Sequence, residues 1–160
     1  DVGLSSERLA RIERHFEPMA AEWTQDGAWR ALLCGLGACA SHLLGAQAWH
    51  VEAHPFRIDT AGGIGRPTPE GAHRDGVDLV AVLLVARVGV KGGETRVFDA
   101  DGAAGLRFTL TEPWTTLLLD DARVIHESTP IQPLDSARAG HRDTLVPTLR
   151  AGGFQDQAMG

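Results

Sequence analysis

The run from Val77 to Val88 constrains the fold more than any other stretch of the chain. It is apolar at both alternating positions, the pattern of a strand covered on both of its faces. A strand of that kind belongs inside a layered structure. Directly before it comes a short polar segment, Pro69-Glu70-Gly71-Ala72-His73-Arg74-Asp75-Gly76, bracketed by glycine. In an extended chain, side chains two residues apart point to one face, so His73 and Asp75 can hold one ion together at the mouth of the buried strand.

Ahead of this region the spacing predicts helices. Leu9, Ile12, Phe16, Met19 or Ala20, and Trp23 recur at helical intervals over residues 5–24, with Ser5 or Ser6 as cap and Pro18 as a kink or break. Asp26-Gly27 interrupts the pattern. A second helix, small and apolar, is expected from Ala28 to Leu44 and closed by Gly45.

After Gly45 the pattern changes to strands. Trp49–Ile58 is one, with Pro55 marking an edge or a bulge. Val77–Val88, Glu94–Phe98, Leu106–Leu110, Thr115–Leu119, Val124–Ser128 and Arg142–Leu149 are the others. Glycine and proline mark residues 60–72 and 130–140 as loops, with Lys91-Gly92-Gly93 and Asp99–Gly105 as turns. Helices followed by short strands predict an α+β protein, a sandwich or jelly roll with the helices packed against one sheet.

Bulk properties narrow the function. The chain has 160 residues, of which 43% are hydrophobic, the size and composition of a single domain with a real core. A net charge of -6 argues against nucleic acid or an anionic membrane as partner. No apolar run reaches membrane-spanning length and the start does not read as a signal peptide, so the expected location is cytoplasmic. A first residue of Asp1 rather than Met is expected to mean that the natural N-terminus is missing. Cys34 and Cys39 would lie well over a right angle apart on a helix, which disfavours a mutual disulfide; reduced core or near-core thiols are expected.

His-x-Asp occurs twice among the seven histidines of the chain, at His73/Asp75 and at His141/Asp143. Two histidines and one carboxylate on one side of a metal, with other positions open, is the geometry of non-haem Fe(II) oxygenases. On a jelly roll the paired ligands come early and the lone histidine on a later strand. His73 and Asp75 have His126 downstream, whereas no histidine follows His141. His126 shares a strand face with Val124 and Ser128, where a satisfied core histidine is the plainer alternative. Arg142, Thr144 and Val146 should share the inward face of the last strand. A buried arginine demands an anion, and a guanidinium fork with a hydroxyl beside it matches a carboxylate. An ion pair with Asp143 or another inward acid is the competing reading.

Four blocks in order, Pro67–Asp78, Gly92-Gly93-Glu94-Thr95, Leu118–His126 and Gly140–Leu145, resemble the small bacterial 2-oxoglutarate/Fe(II) dioxygenases that include L-isoleucine 4-hydroxylase. The resemblance covers residues 49–150. It implies a double-stranded β-helix (jelly-roll, cupin-like) in one domain, with residues 1–47 as helical support, 48–150 as the jelly roll and 151–160 as a tail. It implies Fe(II) on His73, Asp75 and His126, with O2 and the co-substrate 2-oxoglutarate, whose far carboxylate would lie on Arg142 and Thr144. It implies hydroxylation of a free amino acid or a similar small carboxylate. Arg57, in His54-Pro55-Phe56-Arg57-Ile58, matches a further block and is expected to grip a substrate carboxylate or line the co-substrate pocket; a surface salt bridge is its alternative. Two other functions stay open: a cupin-like metal-dependent isomerase, lyase or hydrolase that does not use 2-oxoglutarate, and a non-catalytic jelly-roll binding module. Asp120 and Asp121 either orient a ligand histidine or close a turn.

Overall fold

The computed structural model describes residues 18–154. Most of the helix expected over 5–24 lies outside the described residues; within them only a single turn, α1 (Ala21–Thr24), belongs to it. The second helix, α2, runs from Gly27 to Leu44. Its ends are fixed as the residue types suggest. The Asp26 carboxylate accepts from the Ala28 N–H at 2.7 Å, and Gly45, at a φ of 101°, returns its N–H to the Ser41 carbonyl at 3.1 Å.

Among the described residues nine strands follow: β1 (His50–Asp59), β2 (Leu79–Val88), β3 (Val90–Gly92), β4 (Thr95–Asp99), β5 (Gly105–Phe108), β6 (Thr116–Asp120), β7 (Val124–Ser128), β8 (Ile131–Pro133) and β9 (His141–Arg150). The main sheet has the order β1-β9-β2-β6, a smaller one the order β5-β4-β7, and β3 pairs with β8. All pairings are antiparallel. The result is an α+β double-stranded β-helix. β3 and β8 lie where turns and loops were expected. Each is three residues long and rich in glycine or proline, so only their mutual pairing makes them strands. Pro55 falls on β1, the edge of the main sheet, where a missing N–H costs no ladder bond.

The main sheet is covered on both faces, and alternation decides what each face meets. Leu79, Ala81 and Leu83 on β2 and Leu145 and Leu149 on β9 pack against Leu36 and Ala40 of α2. Trp29, Leu32 and Leu44 extend that helix stripe. Cys34 and Cys39 lie off it, and contrary to expectation both are exposed, as free thiols. A helix packed on one sheet buries one stripe only, so residue type alone does not bring a cysteine into the core. The opposite positions of β9, Arg142, Thr144 and Val146, face the inside of the jelly roll together with Phe56, Ile58 and Val82.

Candidate metal and co-substrate centre

The segment before β2 is tied to β7 through an isolated backbone bridge between His73 and His126. The glycines at its turns, Gly71 and Gly76, have φ values of 83° and 76°, which a side chain would resist. His73 Nδ1 stands 2.9 Å from the Gly71 carbonyl, which can only accept, so Nδ1 carries the proton and Nε2 is left as the ligand atom. Buried Asp121 holds the other end of the segment. Its carboxylate accepts from the backbone N–H of Asp75 at 3.1 Å, Gly76 at 2.8 Å and Val77 at 3.1 Å. Of the two roles open for the Asp120-Asp121 pair, Asp120 takes the turn, accepting from Ala122 N–H at 3.2 Å. Asp121 holds the backbone around Asp75 instead of a histidine ring.

His73, Asp75 and His126 each offer a ligand atom, all within 4.8 Å of one another. His73 Nε2 is 3.9 Å from Asp75 Oδ1, and His126 Nε2 is 3.6 Å from Asp75 Oδ2. Donors that each bind one ion at about 2.1 Å stand roughly 3–4 Å apart, so the set fits a single metal. Among the described residues it is the one such group, and the second His-x-Asp gains no third ligand. Burial pushes the Asp75 carboxyl up, against the pull of both histidines, and pushes His126 down toward the neutral form that binds metals. A bound cation would reverse the first effect.

These groups line a cavity of about 110 Å³ that also contains Arg142 and Thr144. Arg142 is 3% exposed, and its Nε and Nη2 have no hydrogen-bond partner. Burial, and secondarily the charge of Arg87, lower its pKa to about 10, so it is still a cation at neutral pH. Its pairing with Asp143 is not realised, because neighbours on a strand face opposite sides. A buried guanidinium with two unpartnered nitrogens beside three potential metal ligands has the chemistry to receive an anion.

Arg57 does not join this group. It stands on the helix-side face of the main sheet, its fork on Asp143 at 2.8 and 2.7 Å, with a side chain 63% exposed. It lines a separate cavity of about 910 Å³ with Trp29, Val85 and Trp114. Trp49 donates to Ser41 Oγ at 2.9 Å and packs on the helix-side core. Two residues were not singled out in the sequence. Glu70 lines the small cavity with Oε1 3.7 Å from His73 Nε2, and its place within the polar segment was the signal available. Arg87 lies beside Arg142 and had no local signal.

A model of the 2OG-Fe dioxygenase family matches residues 8–148. The chain belongs to the 2OG-Fe dioxygenase family. The family uses Fe(II), 2-oxoglutarate and O2, and the donor set of His73, Asp75 and His126 is compatible with that. Among solved structures, this family member is similar to a bsmA homolog from Methylobium petroleophilum PM1, with 62% identity and a TM-score of 0.84 over 90% of this chain and 58% of that one. IDO from Bacillus thuringiensis gives 19% identity and a TM-score of 0.76 over 89% of this chain and 64% of that one. The Fe(II)/α-ketoglutarate-dependent dioxygenase TqaL gives 21% and 0.69, over 90% and 60%. The last two likenesses show the fold alone. The chain thus spans 58–64% of the length of these structures. No curated protein matches it.

Proposed function

We propose that this chain carries the catalytic jelly roll of a 2-oxoglutarate-dependent non-haem Fe(II) dioxygenase that hydroxylates a free amino acid or a similar small carboxylate. The observation behind this reading is Arg142: a buried cation with two unpartnered nitrogens, in the same cavity as three convergent metal-ligand atoms. A cupin-like metal enzyme without 2-oxoglutarate would leave that cation without a task.

In this reading His73, Asp75 and His126 hold Fe(II). When bound with 2-oxoglutarate and O2, the metal supplies the oxidising chemistry, in which 2-oxoglutarate becomes succinate and CO2 as a substrate C–H bond is hydroxylated. The chain's own residues bind and orient. Arg142 and Thr144 anchor the far carboxylate of the co-substrate, which fixes the reach of its keto acid end toward the ligand trio. Phe56, Ile58 and Val82 supply apolar wall that keeps water out. No general base is needed, and Arg57, on the other face of the sheet, does not reach this cavity. A cytoplasmic setting fits two free, exposed thiols, and no described helix is long and apolar enough to cross a membrane.

The test is succinate release with Fe(II), ascorbate and 2-oxoglutarate, screened across free amino acids. His73→Ala should abolish both iron binding and succinate. Unchanged turnover in that variant, or no visible charge-transfer band on adding 2-oxoglutarate anaerobically to the Fe(II) protein, would refute the reading.

A further inference from the structure

β2 does not run evenly past β9. Leu83 pairs with Leu145 and Leu84 with Thr144, but the register then jumps, so that Ala86 opposes Asp143 and Arg87 opposes Arg142. The extra residue is a bulge, and a bulge changes which face the following side chains take. Before it, Leu84 shares the inner face with Thr144. After it, Arg87 takes that face opposite Arg142. Without the extra residue Arg87 would join Val85 on the helix side.

Gly93 stands beside both side chains. A Cβ there would stand 3.1 Å from Arg87 Nη1 and 3.8 Å from Arg142 Cδ, so the bare, buried glycine leaves room for both. Like charges directly opposite each other on one sheet face are unfavourable. Arg87 Nη2 is satisfied by the Gly92 carbonyl at 2.5 Å. Its Nη1 is buried without an acceptor, as are Nε and Nη2 of Arg142. The bulge thus sets two arginines opposite each other, with three buried nitrogens that lack an acceptor, Arg142 lining the small cavity and Arg87 standing behind it.

We infer that Arg87 is a second cation of the co-substrate pocket, acting with Arg142 on the far carboxylate of 2-oxoglutarate. This rests on the co-substrate reading above. A carboxylate has about four lone-pair sites, of which the Arg142 fork takes two, so a second guanidinium has an acceptor to use. The pair should also impose selectivity, since a 2-oxo acid without the far carboxylate leaves both charges unmatched.

Calorimetry on the anaerobic Fe(II) protein tests this, with 2-oxoglutarate and with 2-oxopentanoate, which has the same chain length and no far carboxylate. Wild type should prefer 2-oxoglutarate about 100-fold or more, and Arg87→Gln should lose about 10-fold for it while leaving 2-oxopentanoate unchanged. Arg87→Lys should recover part of the loss. Wild-type affinity in Arg87→Gln, or equal loss for both acids, overturns the inference and leaves Arg142 as the sole anchor. A wild-type protein that does not distinguish the two acids overturns the co-substrate reading itself. Should Arg87→Gln not fold, Arg87→Met keeps the packing of the stem and carries the test. It should show the same selective loss for 2-oxoglutarate, and wild-type affinity in that variant overturns the inference equally.

Discussion

His73 and His126 are joined through their backbones, each N–H donating to the other's carbonyl, at 3.0 Å from His73 and 2.9 Å from His126. Directly opposed residues of an antiparallel pair present their side chains on one face. The two imidazoles therefore meet, ring centroids 4.7 Å apart, because a loop and a strand are in register. A slip of one residue would send one ring to the other side. Positioning of the candidate ligands is thus a property of the fold itself, with Asp121 fixing the third.

Asp121→Asn tests that support. The amide keeps the shape but replaces one acceptor oxygen with a donor, so at least one of the three N–H groups loses its partner. The expected cost is about 1–3 kcal/mol in urea unfolding, with metal affinity down roughly 10–100-fold. Normal stability together with normal Co(II) binding would show that the clasp is dispensable.

Arg142→Met should change stability and binding in opposite directions. Removing an unpaired buried charge should stabilise the co-substrate-free protein, by about 1–4 kcal/mol if the methionine fills the space. The same change should abolish the rise in melting temperature expected of the wild type on adding 2-oxoglutarate. A variant less stable than wild type without ligand would mean that the guanidinium is already compensated.

The Arg57–Asp143 pair predicts a pH dependence. The hydrogen bond from Arg57 holds the Asp143 carboxyl below its ordinary range. A depressed carboxylate contributes stability above its unfolded pKa, about 3.9, and the contribution is lost as pH falls through the lower folded value. Arg57→Gln should therefore be slightly less stable than wild type at neutral pH, with the two curves converging in acid. The pair is exposed, so the difference is small and should shrink with salt. Parallel curves down to strongly acidic pH would rule out the linkage. Binding of 2-oxoglutarate should be unaltered, since Arg57 faces the other side of the sheet.

Gly140→Ala probes the start of β9. A Cβ there would run into the backbone carbonyls of Gly89 and Val88, which cannot swing aside as a flexible side chain would. Gly140 also donates to Thr60 Oγ1 at 2.8 Å. The ends of β2 and β9 would have to part, at about 1–3 kcal/mol, with 2-oxoglutarate affinity falling because Arg142 begins two residues on. Thermal unfolding and calorimetry give both numbers, and an unchanged melting temperature would contradict the close approach.

Local pattern sufficed for the strand with two apolar faces, the Gly45 end of α2, and the candidate chemistry: which His-x-Asp has a later histidine, and which arginine follows on the last strand. Those are properties of spacing and order, and alternation within a strand carries them as far as which residues share a face. What each face meets was settled by the long-range pairing of strands. The tertiary structure paired β3 with β8 out of glycine- and proline-rich segments, left Cys34 and Cys39 outside the buried stripe, and turned Arg57 toward Asp143 rather than the small cavity of Arg142. It also brought Arg87 beside Arg142, because a single extra residue in β2 reverses every facing after it. Register and bulges are fixed by pairing with a distant strand, and no local pattern records them.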